Sequence, residues 1–87
     1  MKVYLDNNAT TKVDEAVLQT MLPYFSEYYG NPFSLHLFGT ETGKAVTEAR
    51  QTIADILKAK PSEIIFTASG SEADNLAIRG IAKAYKH

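Results

Sequence analysis

The sequence predicts an α/β fold, mostly helical in this segment, with one or two short strands and a sheet that these residues do not complete. Three observations predict it. Apolar residues recur every three or four positions in three stretches, as they do along one face of an amphipathic helix. One continuous run, Ile64-Ile65-Phe66-Thr67, is apolar and β-branched throughout, which suits a strand buried on both faces of a parallel sheet. The sole other strand candidate is Val3-Tyr4-Leu5, and one or two strands do not close a sheet. The sequence therefore reads as part of a larger fold.

Taken in order, Val3-Tyr4-Leu5 and the turn-forming Asp6-Asn7-Asn8 give an extended arm over residues 1–13. No basic region followed by an apolar stretch marks a signal peptide, so a cytoplasmic location is expected. No apolar run approaches the ~20 residues that span a bilayer. A first helix is expected over 14–28, where Val17, Leu18, Met21, Leu22 and Phe25 share a face. Asp14 and Glu15 sit where the helix dipole favours negative charge. Pro23 should kink or shorten this helix, and Gly30-Asn31-Pro32 should stop it. Residues 31–39 then form a loop whose apolar members, Phe33, Leu35, Leu37 and Phe38, call for something larger to pack on.

A second helix is expected over 40–58, with Val46, Ala49, Ile53, Ile56 and Leu57 as its stripe. Lys60-Pro61-Ser62-Glu63 is a turn, Ile64–Thr67 the strand, and Ser69-Gly70-Ser71 a break before a third helix over 71–85. The resulting division is 1–13 arm, 14–58 two helices with an intervening loop, and 59–87 strand, turn and helix.

Composition excludes several functions. The 87 residues carry a net charge of −1 and no clustered Lys and Arg, so no nucleic acid or membrane partner is expected. There is no cysteine, hence no disulfide framework and no thiolate metal site. His36 and His87 stand far apart in sequence, and no metal ligand is assigned. No residue of the chain is assigned a catalytic role.

The segment from Ile64 to Glu72 carries the strongest chemical signal: strand, glycine-containing turn, helix start. The first amides of a helix lack internal acceptors, and the dipole there is positive. Gly70 lets a ligand approach the backbone, and Ser69 and Ser71 add hydroxyls, so the turn could hold a phosphate. A structural reading stands beside this one. Ser69 with Glu72, and Ser71 with Asp74, have the spacing of a capping box, which occurs at helices that bind nothing. Gly39-Thr40-Glu41-Thr42-Gly43-Lys44-Ala45 is not a nucleotide P-loop, because too few residues separate its glycines and no Ser or Thr follows the lysine. Asp6-Asn7-Asn8 reads as a turn before a polar site, and His36 as a packing or surface residue before a catalyst. Tyr24, Phe25, Tyr28 and Tyr29 read as core or subunit contact, since no basic stripe accompanies them.

Five segments in order, Val3 to Thr11, Tyr29 to His36, Ala49-Arg50 with Ile53-Ala54, Pro61 to Thr67, and Ser69 to Asn75, together resemble the NifS/IscS-type cysteine desulfurases. The resemblance implies the N-terminal segment of a pyridoxal-phosphate-dependent transferase of fold type I, related to the class V aminotransferases. It implies a homodimeric parent enzyme that takes sulfur from L-cysteine. L-alanine and an enzyme persulfide result, and the persulfide feeds iron–sulfur cluster and thio-cofactor assembly, with a scaffold protein as acceptor. It places the cofactor phosphate on Gly70 and Ser71, with Ser69 beside them; the family more often has Thr at position 71, and the hydroxyl is retained. It puts the loop bearing His36 near the active-site entrance or a subunit contact.

The departures are as informative. The family's cofactor-anchoring lysine lies in a Ser-x-His-Lys motif that these residues lack. Also lacking are the persulfide-forming cysteine, the histidine that stacks on the cofactor ring and the aspartate that pairs with its nitrogen. The expectation is a fragment, inactive alone, whose partner is the remainder of a desulfurase chain. Two other readings are an interaction module that pairs with a full-length or C-terminal desulfurase chain, and a relative such as selenocysteine lyase.

Overall fold

The computed structural model describes residues 1–86; His87, and with it the end of the 59–87 segment, lies outside the described residues. The chain divides into two units, Met1–Glu48 and a second from Ala49 onward.

In the first unit, residues 1–13 form neither helix nor strand. The turn after Asp6 is closed by its backbone carbonyl, which accepts from Ala9 N–H at 3.0 Å. The Tyr4 hydroxyl pins it from outside, 3.0 Å from that same carbonyl and 2.5 Å from the Thr10 hydroxyl. Helix α1 spans Glu15–Met21 and starts at Asp14, whose carboxylate accepts from Ala16 N–H at 2.9 Å. Pro23 ends it, since proline has no N–H for the preceding turn and its ring crowds that turn. The helix expected over 14–28 is therefore α1 followed by a single-turn helix α2, Pro23–Ser26, with Leu22 between them still in helical conformation.

Helix α3 runs Leu37–Leu57 and begins at Leu37, before the expected start at Thr40. Gly39, which reads as a helix breaker in sequence, lies inside its first turn, and the reason is steric. A Cβ on Gly39 would stand 2.2 Å from the Ser34 carbonyl oxygen and 2.7 Å from that of Asn31. On Gly30 it would stand 2.3 Å from the Phe38 oxygen. The loop from Gly30 to Ser34 thus crosses the start of α3 backbone to backbone, a separation that no side chain permits. Asn31 shapes that loop, accepting from Phe33 N–H through its side chain and from Ser34 N–H through its carbonyl, both at 2.9 Å. Thr42, buried, caps the crossing by donating to the Phe38 or Gly39 carbonyl. The loop's own apolar side chains do not pack: Phe33 and Leu35 are 90% and 103% exposed.

In the second unit, α3 ends in a Schellman arrangement. Ala59 N–H reaches back to the Ala54 carbonyl at 2.9 Å and Lys58 N–H to that of Asp55 at 3.2 Å. This requires a left-handed residue, and Lys58 supplies it with φ 54°. A single 3₁₀ turn follows at Pro61–Glu63, closed when the Glu63 carboxylate accepts from Lys60 N–H at 2.7 Å. Ile64 leaves it extended, residues 65–67 form no regular element, and helix α4 spans Gly70–Ala84.

No strand forms among the described residues. This corrects the expectation for Val3–Leu5 and Ile64–Thr67. A strand exists only as a hydrogen-bonded pair, and these residues supply no mate for the extended Ile64 backbone. The α4 stripe is likewise uncovered: Leu76, Ile78, Ile81 and Tyr85 are all exposed. Among the described apolar residues Ala54 alone is fully buried.

Two substitutions test this account in urea denaturation. Lys58→Gly should stabilise the chain by about 1 kcal/mol, because glycine adopts the left-handed cap without steric cost. Gly39→Ala should destabilise it by roughly 1–3 kcal/mol, the range for forcing atoms into a filled site.

Candidate functional site

The turn between residue 64 and α4 is built by local hydrogen bonds. Ser69, extended at φ −161° and ψ 162°, is the N-cap, and its hydroxyl oxygen accepts from Glu72 N–H at 3.2 Å. The Glu72 carboxylate reaches back to Ala68 N–H at 2.9 Å. Thr67 donates its hydroxyl to the Ser69 carbonyl at 3.0 Å, which fixes the residue before the cap. The Ser69–Glu72 spacing is thus a working cap, while Ser71 lies inside the helix and caps nothing.

This arrangement leaves a defined set of donors. Capping uses the Glu72 amide, and Ala73 N–H closes the first helical turn on the Ser69 carbonyl at 3.1 Å. The amides of Gly70 and Ser71 have no acceptor among the described residues, nor does the Ser71 hydroxyl have a partner there. Ser69, Gly70 and Ser71 are all exposed. Gly70 has an ordinary negative φ, and a Cβ built on it meets nothing within 4 Å. Neither backbone conformation nor packing within the chain calls for glycine at this position. The dipole of the 15-residue α4 adds positive potential at the same spot. An anion of phosphate size is what such a donor set can bind.

Behind the turn stands Arg50 of α3, half-buried. Its guanidinium donates to the Ile64 carbonyl and lies over the Phe66 ring, 4.7 Å from the centroid. The sequence carries a signal for this residue: Arg50 occupies the apolar stripe of α3, between Val46 and Ile53, where a charge needs a partner.

The other candidates lie in the first unit. His36 is exposed and meets the Phe38 ring edge-on at 6.3 Å, a packing contact. Tyr24 and Tyr28 pair at 5.8 Å, and Tyr29 with Phe38 at 6.0 Å. Asp6-Asn7-Asn8 forms the turn already described. Among the described residues no group of three His, Cys, Asp or Glu could hold a metal ion, and no helix is long and apolar enough to cross a membrane.

Comparison with known proteins shows the family of the chain. The family model Aminotransferase class-V matches residues 3–87, and the chain belongs to that family. Within it, the similarity is to cysteine desulfurases. That of Trichormus azollae is 57% identical over 77 residues, covering 88% of this chain and 19% of the relative. The cysteine desulfurase NifS of Azotobacter vinelandii is 53% identical over 83 residues, covering 94% of this chain and 21% of its own. A solved NIFS-like protein superposes with a TM-score of 0.91 at 42% identity, over 99% of this chain and 24% of that one. The resemblance read from the five segments is borne out, and the fold is that of a part of a NifS-like enzyme. The chain spans about a fifth of the length of the curated relatives it matches.

Ser69→Ala should cost α4 about 1 kcal/mol by removing its cap, whereas Ser69→Asp should retain it. Helicity and urea midpoint measured on the two variants separate the outcomes. No loss in Ser69→Ala would show that the cap contributes nothing.

Proposed function

We propose that these residues form the phosphate-holding portion of a cysteine desulfurase and act within a longer polypeptide. The parent enzyme takes sulfur from L-cysteine, releases L-alanine and carries the sulfur as a persulfide on a cysteine of its own. That sulfur serves iron–sulfur cluster and thio-cofactor assembly. A homodimer in the cytoplasm, handing sulfur to a scaffold protein, is the setting that the resemblance suggests.

The observation that carries this reading is the pair of unpartnered amides on Gly70 and Ser71 at the open end of α4. Pyridoxal 5′-phosphate fits there on three counts. Its phosphate needs several donors, and two amides with the Ser71 hydroxyl supply them, with the Ser69 hydroxyl proton as a fourth. It needs close approach, and the space beside Gly70 is open. It needs donors not taken by the neighbouring carboxylate, and Glu72 is turned back onto Ala68 N–H, away from the Gly70 and Ser71 amides. When bound, the cofactor supplies an electron sink for bond breaking next to the substrate amine. The residues of this chain bind and orient it by its phosphate end. They do not include the anchoring lysine, the sulfur-carrying cysteine, or the histidine and aspartate that the family sets around the ring.

Uncovered apolar surface supports the longer polypeptide. An apolar groove runs between residues 63–67 and α4, lined by Ile65, Leu76, Ala77 and Ile81, and the segment beside it has backbone groups without partners. Both features suit the addition of further strands.

The test is cofactor titration of the complete polypeptide containing this sequence. Ser71→Ala should weaken pyridoxal-phosphate binding roughly tenfold or more, the usual cost of losing a hydrogen bond to a charged group. The 87-residue chain alone should release no alanine from cysteine beyond what free cofactor does. Unchanged affinity in Ser71→Ala, or turnover by the chain alone, would count against the reading.

A further inference from the structure

Four exposed or half-exposed features of the chain lie outside the phosphate turn: the uncovered stripe of α4, the Phe33–Leu35 loop, the tyrosine pair of the first unit, and Arg50. The first three offer apolar surface with nothing to identify its occupant. Arg50 differs, because both groups it holds are in place.

We infer that Arg50 is a positioning residue for the phosphate turn, acting through the segment that leads into it. The inference rests on the phosphate reading above. Residues 64–67 have no strand partner among the described residues, and Arg50 is what attaches them to α3 there. Arg50 supplies two attachments of different kinds to this segment: a charge-assisted hydrogen bond to the Ile64 carbonyl and a cation–π contact over the Phe66 ring, 4.7 Å from its centroid. A guanidinium makes both at once because its donors lie in a plane whose faces remain free; an ammonium has no such faces.

The attachment then passes along the chain by short covalent and hydrogen-bonded steps. Phe66 precedes Thr67, Thr67 donates to the Ser69 carbonyl, and Ser69 caps Glu72, whose carboxylate holds Ala68. Fixing Ile64 and Phe66 against α3 thereby fixes the line along which the Gly70 and Ser71 amides point. Without Arg50 the cap would persist, since it is local, but its aim relative to α3 would be free to wander. A phosphate bound elsewhere in the polypeptide's cofactor site would then meet its donors less often.

The experiment uses the complete polypeptide and two ligands, pyridoxal 5′-phosphate and pyridoxal, which lacks the phosphate. The quantity read is the ratio of their affinities for the apoenzyme. Arg50→Met should lower that ratio roughly tenfold, comparable to losing a charged hydrogen bond to the phosphate, while leaving pyridoxal affinity unchanged. Arg50→Lys, which can still reach the Ile64 carbonyl but cannot stack, should lower it less. Should Arg50→Met fail to fold, Arg50→Lys and Phe66→Leu carry the test, each with a reduced ratio expected. Equal weakening of both ligands would mean a general structural role and overturn the inference, as would an unchanged ratio. Ser71→Ala, run alongside, separates this from the underlying reading. An unchanged ratio there removes the phosphate site itself, whereas a reduced ratio there with none in the Arg50 variants removes Arg50 alone.

Discussion

What holds the described residues in place is hydrogen bonding over short stretches of chain, because burial is scarce. With Ala54 the one fully buried apolar side chain among them, each element depends on how its ends are closed. Asp14 opens α1, Pro23 breaks it, a left-handed Lys58 closes α3, and Ser69 with Glu72 opens α4. The side-chain caps at Asp14 and Ser69 each contribute about 1 kcal/mol. They specify local shape well and provide little of the global stability that a core would add.

That economy has a functional side. The cap at the start of α4 uses two amides and leaves two, so the structural and the ligand-binding readings of the turn are compatible and not rivals. Ser69 and Glu72 build the end of the helix; Gly70 and Ser71 present it. The same division appears in the first unit, where Gly30 and Gly39 let a loop cross α3 so closely that Phe33 and Leu35 are turned outward. In both places the backbone is arranged by residues that make no display of their own, and the side chains displayed, Phe33, Leu35 and Ser71, are exposed.

Family membership gives these displayed groups a context. Relatives of this chain are about five times its length. The attachment proposed for Arg50 is a role within such a longer polypeptide.

The sequence by itself determined the helices and the donor set. Spacing of apolar residues located the three helical stretches, Pro23 marked the break in the first, and Ser69-Gly70-Ser71-Glu72 announced a capped helix start with glycine inside it. These are properties of neighbouring residues, and neighbouring residues are what a sequence displays. Tertiary structure alone decided three other things. The early start of α3 depends on Asn31 and Ser34 lying over Gly39, the absence of strands among the described residues on there being no mate for residue 64 there, and the tethering of that segment on Arg50, fourteen residues away. Each joins atoms distant along the chain, and one-dimensional periodicity carries no term for such contacts.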